Sequence, residues 1–353
     1  MRNDTRILFN AYVSQIALLN GIPDASVQFS VNPAVEQTLE ERIQHSHEFL
    51  SRINFYTVVQ QEGDKVGIGV TRTIAGRTDT AGGTRRTPTD PTDTYDHGRY
   101  RCEQTNFDFA IKYAKLDAWR HKPQFQTILR DVILKQQGRD RMIIGWHGTS
   151  VAVATNRTTN PLLQDVNLGW LHKIRTKAPA HVLNDGDLST APTKAIYVGA
   201  GTPGTDVDYV NLDALVYDAI ELIDEWNRDD TDLVVIVGRD LVHDKYFSII
   251  NEAGDKATEQ EARDRILRSE KQIGGLPAVR VPFFPANALL ITRLDNLSIY
   301  NQEGTRRRML KDEPELDQIA NYESVNEAYV VEDYGLTGLV ENIVMGKAPA
   351  GGG

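Results

Sequence analysis

Cysteine is almost absent from the 353-residue sequence, where Cys102 is the only one. A single thiol cannot close an intrachain disulfide or supply a multi-cysteine zinc site, so stability must come from packing, and a reducing compartment suits this composition. Arg101 precedes Cys102, and a basic neighbour lowers a thiol pKa. Without a second cysteine to resolve an oxidised form, however, we interpret Cys102 as structural.

Long apolar runs and an excess of positive charge are also missing. No 18-residue apolar window occurs and the start lacks the pattern of a signal peptide, so we expect neither a secreted nor a membrane-spanning chain. The 39 Lys and Arg against 49 Asp and Glu give a net charge of -10. A protein that mainly grips phosphates needs clustered basic residues, so we do not expect a dedicated nucleic-acid binder. The length and the 40% hydrophobic content predict a globular chain of about two domains.

Nucleotide, hydrolase and metal motifs are missing too. The best enzyme hint is the apolar run Leu233–Val237, because a buried strand that turns through Gly238 into a helix can present N–H groups to phosphate. The glycine fingerprints and the nucleophile elbow are absent, and His45 and His47 would point to different faces of a helix. We therefore expect no cofactor, metal or catalytic residue. An α/β nucleotide-binding protein or enzyme centred on 233–240 is the alternative.

The negative charge is concentrated between residues 201 and 232, where ten acids face one base, Arg228. Apolar residues from Leu212 to Trp226 recur at helical spacing between these acids, which predicts an amphipathic helix with a solvated acidic face rather than a cation site. The acids assigned to this face are Asp213, Asp218, Glu221, Asp224 and Glu225.

The N-terminus begins with an apolar stripe over Thr5–Asn20 that stops at Gly21, which predicts a short amphipathic helix. Residues 21–33 contain two prolines and small polar residues, so we interpret them as a linker that tethers this helix. A second helix is predicted from Asn32-Pro33 to Ile53.

A long polar segment separates two alternating stretches, 66–70 and 107–113, which predict two strands. Loops of this length are typically binding elements or disordered segments. Because a two-stranded ribbon alone is marginally stable, we infer an arm completed by another chain. An acidic face of a neighbour, such as the acidic helix, suits its arginines. The predicted inter-subunit contacts are Arg72, Arg77, Arg85, Arg86, Arg99 and Arg101.

The rest of the chain alternates helical and strand patterns. A long helix is predicted over 125–146. The run Arg306–Arg308 is interpreted as a subunit contact or a solvated turn, with a nucleic-acid contact as the alternative. The other predicted elements are helices near 163–175, 239–250 and 258–272, strands at 233–238, 278–281, 288–291 and 297–300, and further strands before a flexible tail.

Seven blocks in order give the sequence a resemblance to the major capsid proteins of the phage P2 family. The blocks are MRNDTRILFNAYVSQIALLNGI, DKVGIGVTRTIAGRTDTAGGTRR, QTNFDFAIKYAKLDAW, NPLLQDVNLGWLHKIRTKAPA, DLVVIVGRDLVHDKYF, GGLPAVRVPFFPANALLITRLDNLSIY and NYESVNEAYVVEDY. The resemblance implies an α+β fold of the HK97-like capsid type, with an N-terminal arm, an extended β-hairpin E-loop, a peripheral domain with a long spine helix, and an α/β axial domain. An encapsulin-like compartment with the same fold fits the scaffold-type N-terminus less well.

The resemblance also divides the chain. It implies a scaffold-binding arm over 1–31 that is removed near Phe29-Ser30, an N-arm helix over 32–52, the E-loop over 53–113, the spine-helix part of the peripheral domain over 114–159, the axial domain over 160–288, a return to the peripheral domain over 289–346, and a flexible tail over 347–353.

The partners follow from the same resemblance. It implies a subunit that assembles as pentamers and hexamers, with a scaffolding protein that is also the prohead protease and with a portal protein, into the icosahedral head of a tailed phage. Assembly in the host bacterial cytoplasm, a final place in the virion capsid, weak non-specific contact with packaged double-stranded DNA and no membrane contact are expected. Some such shells lock by a lysine–asparagine bond, but the stretch 72–101 has no lysine, so we predict a noncovalent shell.

Overall fold

The computed structural model describes residues 1–65, 75, 77–83, 85–88, 98–119, 125–189, 194–241 and 272–349. They form two compact units, each assembled from three stretches of chain. Unit 1 comprises Met1–Gly63, Tyr100–Trp170 and Ser298–Val330, and unit 2 comprises Asp64–Arg99, Leu171–Leu297 and Val331–Gly353.

Helices and strands are interspersed along the chain, as expected for an α+β protein. The helices are α1 (Asn3–Asn20), α2 (Pro33–Gln44), α3 (Glu48–Arg52), α4 (Tyr113–Trp119), α5 (Phe125–His147), α6 (Trp170–Lys177) and α7 (Leu212–Ala219). The strands are β1 (Phe29–Ser30), β2 (Asn54–Val58), β3 (Glu62–Asp64), β4 (Arg99–Arg101), β5 (Glu103–Asn106), β6 (Phe109–Lys112), β7 (Val182–Leu183), β8 (Ile196–Val198), β9 (Val234–Val237), β10 (Gln272–Ile273), β11 (Leu276–Val279), β12 (Leu289–Thr292), β13 (Leu297–Gln302), β14 (Arg307–Glu313), β15 (Gln318–Val331), β16 (Gly338–Val340) and β17 (Ile343–Met345).

Unit 1 is built on a seven-stranded sheet in the order β1-β14-β15-β13-β2, with β5 and β6 also paired to β15. The 14-residue β15 is the longest described strand and alternates buried and less buried residues from Asn321 to Glu327, as a strand with one covered face should. It runs antiparallel to β14, with Leu310 opposite Asn321. At the far end β2 lies parallel to β13, with Tyr56 opposite Tyr300.

Aromatic rings connect α3, α5 and the sheet of unit 1. The indole of Trp170 lies 4.8 Å from that of Trp146 and 5.4 Å from the Tyr329 ring, measured between centroids, and Phe49 completes the cluster. Gly145 permits this packing, because a Cβ atom at this position would lie 2.2 Å from the Trp170 ring. The Trp170 N–H donates to the Ser298 carbonyl at 3.1 Å, so the buried indole nitrogen has a partner.

Unit 2 is built on a six-stranded sheet in the order β10-β11-β9-β12-β16-β7, beside a two-stranded sheet of β17 and β8. All four residues of β9 are buried, because it is paired on both sides, parallel to β11 and antiparallel to β12. Leu212, Leu215, Val216 and Ala219 of α7 pack into the same core. The predicted apolar strand at 233–238 is therefore confirmed as a central strand.

Two of the predicted helices differ from the structure. The predicted helix from Asn32-Pro33 to Ile53 is two helices, because the Ser46 hydroxyl donates to the Ile43 carbonyl and His47 is extended, with φ -141°. The helix predicted near 163–175 begins only at Trp170.

The turns that delay α6 have a local cause. Asp165 accepts hydrogen bonds from the Asn156 N–H at 2.7 Å and from the Asn160 side chain at 3.1 Å, and Leu163 has a positive φ of 56°. These side chains give the backbone an alternative to helix.

Stretches from different expected domains share sheets. Strands at both ends of the expected arm over 53–113 belong to the sheet of unit 1, since β2 pairs with β13 while β5 and β6 pair with β15. In the expected return segment 289–346, β12, β16 and β17 belong to the sheets of unit 2. The predicted strand at 66–70, and nearly all of the helices predicted at 239–250 and 258–272, lie outside the described residues.

Candidate functional site

Enzyme-type sites have little support in the part of the chain that the structure describes. No group of three or more His, Cys, Asp or Glu there could hold a metal ion, and no helix there is long and apolar enough to cross a membrane. At the end of β9, the Gly238 N–H donates to the Ala288 carbonyl at 2.9 Å, and a Cβ at Gly238 would lie 2.1 Å from the Ala286 carbonyl oxygen. The Gly238 N–H is thus already paired within the chain.

Helix α1 carries apolar residues on two faces. One face packs in unit 1, where Ile16 and Ala17 join a cluster with Ala25, Phe29 and Leu310. The other face is open. Its large apolar side chains are Ile7, 68% exposed, Leu18, 75% exposed, and Leu8 and Leu19. An exposed apolar stripe on a terminal helix is a candidate surface for a partner.

The predicted linker after α1 is instead part of the fold. Phe29 and Ser30 form β1, which pairs antiparallel with Arg308 and Arg307 of β14, and Phe29 is only 9% exposed. On either side, the Leu310 N–H donates to the Ala25 carbonyl and the Val31 N–H donates to the Arg306 carbonyl. The expectation of a loosely tethered helix is therefore wrong, because the segment completes both a sheet and a core.

Polar contacts add to this attachment. Arg6 pairs with Asp312 at 2.9 Å, and the Tyr113 hydroxyl also donates to that carboxylate. Burial and the hydrogen bond to Asp312 raise the pKa of Tyr113 to about 12. Arg308 donates to the Tyr12 hydroxyl at 3.3 Å. The first thirty residues are thus held by ionic, polar and apolar contacts together.

A buried ionic network lies behind α2. The Arg141 guanidinium, fully buried, donates to Glu327 and to both carboxylate oxygens of Glu40, at 2.7 and 3.0 Å for the latter. Arg306 donates to Glu323 at 2.5 Å and also to Glu40. This network joins α2, α5, β15 and the chain just before β14.

Two opposing effects set the pKa values of the carboxylates in this network: burial raises them and the neighbouring arginines lower them. Burial raises the pKa of Glu327 more than Arg141 lowers it. For Glu40 burial acts in the same direction, but Arg141 and Arg306 together bring the pKa below its ordinary value. Both arginines are needed to hold these carboxylates ionised in the interior.

The run Arg306–Arg308 is not a solvated turn, and the expected subunit contact stays a prediction for its exposed member, Arg307. Arg306 is buried in the ionic network, and Arg308 donates to the Asn321 side chain at 2.7 Å. Only Arg307 is exposed. The partners of the other two are distant in sequence, so the composition of the run could not indicate them.

The predicted arm arginines that the structure describes lie at the surface. Arg77, Arg85 and Arg86 are exposed, and Arg72 lies outside the described residues. Arg99 and Arg101 on β4 are also exposed, with Asp64 at 3.7 Å from the first and Glu103 at 2.8 Å from the second. Next to Arg101, Cys102 is completely buried, which supports its structural interpretation.

The acidic segment forms a shorter helix than predicted. Helix α7 ends at Ala219, and the chain then makes two short 3-10 turns at Ile220–Leu222 and Glu225–Asn227. Trp226, expected on the buried face of that helix, is therefore exposed. Asp224 and Glu225 lie beyond α7 and are exposed.

Three of the predicted acidic-face residues bind within unit 2. Asp213 accepts from the Gly274 N–H at 2.9 Å, Asp218 accepts from the Tyr209 hydroxyl at 2.6 Å, and Glu221 pairs with Arg228 at 2.5 Å. The acidic face is thus partly engaged in its own unit.

An acidic cavity in unit 1 is a feature that the sequence analysis missed. It has a volume of about 730 Å³ and lies between α2 and the strands β2 and β13. Glu36 and Glu40, four residues apart on α2, were a signal of one acidic helix face, but Asn301 and Glu303 of the facing wall come from a distant part of the sequence.

Comparisons with known proteins agree with one another over the whole chain. A family described as phage major capsid protein, P2 family, matches residues 8–343. The capsid protein of Escherichia phage P2 is 48% identical over 349 residues, covering 98% of this chain and 96% of that protein. The major capsid protein of Serratia phage KSP20 is 40% identical over 358 residues, covering 100% of both.

A solved structure agrees with these relatives. A chain of the satellite phage P4 procapsid including size determination (Sid) protein superimposes with a TM-score of 0.81 and 46% identity, over 99% of this chain and 100% of that chain.

Proposed function

The chain belongs to the P2 family of phage major capsid proteins, and on that premise we propose how its parts build a head shell. Its role is structural: it is a capsid subunit of a tailed-phage head with an α+β, HK97-like fold. The observation that carries this conclusion is the superposition, over 99% of the chain, on a subunit of a procapsid. We propose further that copies assemble as pentamers and hexamers, with unit 1 as the peripheral domain, α5 as its spine and unit 2 as the axial domain.

We assign the exposed face of α1 to a scaffolding protein. Ile7, Leu18 and Leu19 form an exposed apolar stripe on α1. A helix of this type binds by placing such a stripe in an apolar groove of its partner. The same helix then serves two contacts, one to its own unit and one to the scaffold.

Removal of the N-terminal segment near Phe29-Ser30 is the next proposed step. Because this bond lies in β1 beside β14, a protease reaches it only after the strand has separated from the sheet. A scaffold that binds the separated segment more tightly than the paired one would shift the equilibrium toward separation. Processing would thus be coupled to assembly rather than to synthesis.

The arm between β3 and β4 is proposed to reach a neighbouring copy through Arg72, Arg77, Arg85, Arg86, Arg99 and Arg101. The exposure of the described members supports this role. Arginine suits such contacts because its planar guanidinium binds carboxylates through two parallel hydrogen bonds. Four of the acidic-face residues are exposed, and we propose them for contacts between axial domains: Asp218, Glu221, Asp224 and Glu225.

The remaining proposals concern partners and place. The relatives are structural capsid proteins, and we propose that this chain likewise has no catalytic activity. Assembly would take place in the host cytoplasm with a scaffolding protease and a portal protein. The net charge of -10 favours weak, non-specific contact with packaged DNA.

Coexpression with the scaffolding protease tests this set of proposals. Negative-stain electron microscopy should reveal closed shells, and the intact mass of the assembled subunit should correspond to loss of about the first 29 residues. Shells of full-length chain would leave the capsid role intact and contradict processing. If an active scaffold yields only small soluble species, the proposed assembly is wrong.

A further inference from the structure

The acidic cavity of unit 1 has the chemistry of a binding site for a cation. Among the described residues that line it are four carboxylates, and none is Lys, Arg or His. The carboxylates belong to Glu36, Glu40, Glu41 and Glu303. No metal-type cluster of ligands occurs there, so the cation expected is an organic one.

Two buried acceptor atoms of the cavity wall have no hydrogen-bond partner. Glu36 is 7% exposed, and its Oε1 lies 3.8 Å from Arg306 Nε, which is beyond hydrogen-bond length. Asn301 is 4% exposed, and its Oδ1 has no partner. Buried acceptors without donors are costly, so a ligand that brings N–H groups would gain from binding here.

The charge balance of the wall leaves the cavity negative. Glu40 is neutralised from behind by Arg141 and Arg306. Glu41 and Glu303 lie exposed at the surface end of the cavity. Burial raises the pKa of Glu36, as expected for a carboxylate that has only part of the positive charge it needs.

The shape of the wall favours a guanidinium over an ammonium group. Two aromatic residues of β2, Phe55 and Tyr56, are among the residues that line the cavity. Planar guanidinium groups stack on aromatic faces and donate several N–H groups in a fixed plane, whereas an ammonium is a compact, strongly hydrated charge. Carboxylates, an amide oxygen and aromatic rings together suit an arginine side chain.

We propose that this cavity binds an arginine of the 77–88 segment of a second copy of the chain, with Arg85 and Arg86 as the candidates. This inference rests on the proposed contact of the arm with a neighbouring copy, and it names the receiving surface. The 77–88 residues that the structure describes have no helix or strand, and Arg85 and Arg86 are exposed side by side. Every copy in a shell supplies one such segment and one cavity, so each site can be filled. In unit 2, by contrast, Asp213, Asp218 and Glu221 already have partners.

A peptide titration tests the cavity apart from assembly. The probe is a synthetic peptide of residues 77–88, titrated into the full-length subunit at low salt by calorimetry. Glu41→Gln with Glu303→Gln should weaken binding about tenfold, as expected for two partly exposed ion pairs. The matched control, Glu221→Gln with Glu225→Gln, should leave it unchanged. Equal binding by wild type and the Glu41/Glu303 variant would overturn the proposal. A peptide with Arg85 and Arg86 changed to Gln should not bind.

A charge exchange in the shell separates this proposal from the one on which it rests. Glu41→Arg with Glu303→Arg should reduce shell yield at least tenfold, and so should Arg85→Glu with Arg86→Glu. Combining the four changes should restore shells. If the arginine variant fails and only an exchange with Glu221 and Glu225 restores it, the arm contact stands and the cavity is wrong. If the arginine variant assembles normally, the arm contact itself is wrong.

Discussion

At the scale of single residues, the position of a charge depends on partners that local sequence does not reveal. Arg306 and Arg307 are neighbours of one type, yet the first is buried and the second exposed. The difference arises because Arg306 reaches Glu40, separated from it by 266 positions, and Glu323. Unpaired charges are too costly to bury, so the network must form as a unit.

Arg141 is the residue on which this network depends most directly. Arg141→Leu would leave Glu327 and Glu40 buried with too little positive charge, and we expect it to lower the free energy of unfolding by about 3–5 kcal/mol. Arg130→Leu, on the same helix but in an exposed pair with Asp131, should cost no more than about 1 kcal/mol. Denaturant unfolding of the two subunits measures the difference. Equal losses would contradict the role given to Arg141.

His47 makes stability depend on pH. Burial, together with Arg139 and Lys135, lowers the pKa of His47 below 6.5. The unfolded chain therefore takes up a proton more readily than the folded chain, and the stability present above pH 6.5 is lost as the pH falls toward the folded pKa. His47→Gln should reduce the difference in Tm between pH 7.5 and pH 5.5, whereas His45→Gln, at an exposed position, should not. An unchanged difference in the His47 variant would contradict this assignment.

At the scale of elements, Gly145 of α5 lies so close to the Trp170 ring that alanine, usually the better helix former, should be the worse residue there. Alanine is normally a better helix former than glycine by about 1 kcal/mol. At Gly145 the added methyl group would meet the Trp170 ring, so we expect Gly145→Ala to destabilise by about 1–3 kcal/mol. Lys135→Ala, exposed on the same helix, should change stability by less than about 0.5 kcal/mol. Thermal unfolding with tryptophan fluorescence would reveal both effects, and a more stable Gly145 variant would refute the packing argument.

The two faces of α1 can be separated by mutation. Ile16→Ala removes a buried contact of the segment with its unit, and we expect chymotrypsin to cut after Phe29 at least ten times faster. Ile7→Ala changes the exposed face and should leave this rate unaltered while reducing scaffold-dependent shell yield. Timed digestion followed by intact mass measures the cut. Similar rates in wild type and the Ile16 variant would indicate that β1 does not protect the bond.

The sequence patterns predicted those elements whose signals are local. The stripes of α1 and α5 and the apolar run of β9 were sufficient, because burial follows the helical or strand period there. The two-residue strand β1 was not predictable, since its pairing with β14 depends on residues 307–308. The predicted acidic helix was too long, because Leu222, Ile223 and Trp226 continue the helical spacing although the helix itself ends at Ala219. For the candidate site, the exposure of the arm arginines was predictable, but the cavity was not, since its walls come from separate segments.

At the scale of the whole molecule, each unit is assembled from three stretches of chain. Unit 1 combines residues from near the start, the middle and the end of the chain. Its sheet is complete only when β14 and β15 have joined it. Contacts of such long sequence separation make folding slow relative to a local fold of the same size. The intact chain is therefore the proper object for stability measurements.

The mature shell should separate into single chains without chemical cleavage. Cys102 is buried and single, and the stretch 72–101 has no lysine for a covalent mesh. We expect purified shells, denatured in SDS without reductant, to run as one band at the monomer mass. Ladders of higher mass would contradict a noncovalent shell, and their loss on adding reductant would assign the links to Cys102.

The pairing of β1 with β14 also bears on the direction of maturation. While the chain is intact, the tether keeps α1 near its docking surface at an effective concentration on the order of millimolar. Cleavage of the chain after Phe29 removes this high effective concentration. The released helix is then diluted, and it can rebind only through its own weak contacts. Its departure leaves β14 as the outer strand on that side of the sheet. In the proposed pathway, each cut is therefore irreversible, and the subunits of a mature shell stay shortened.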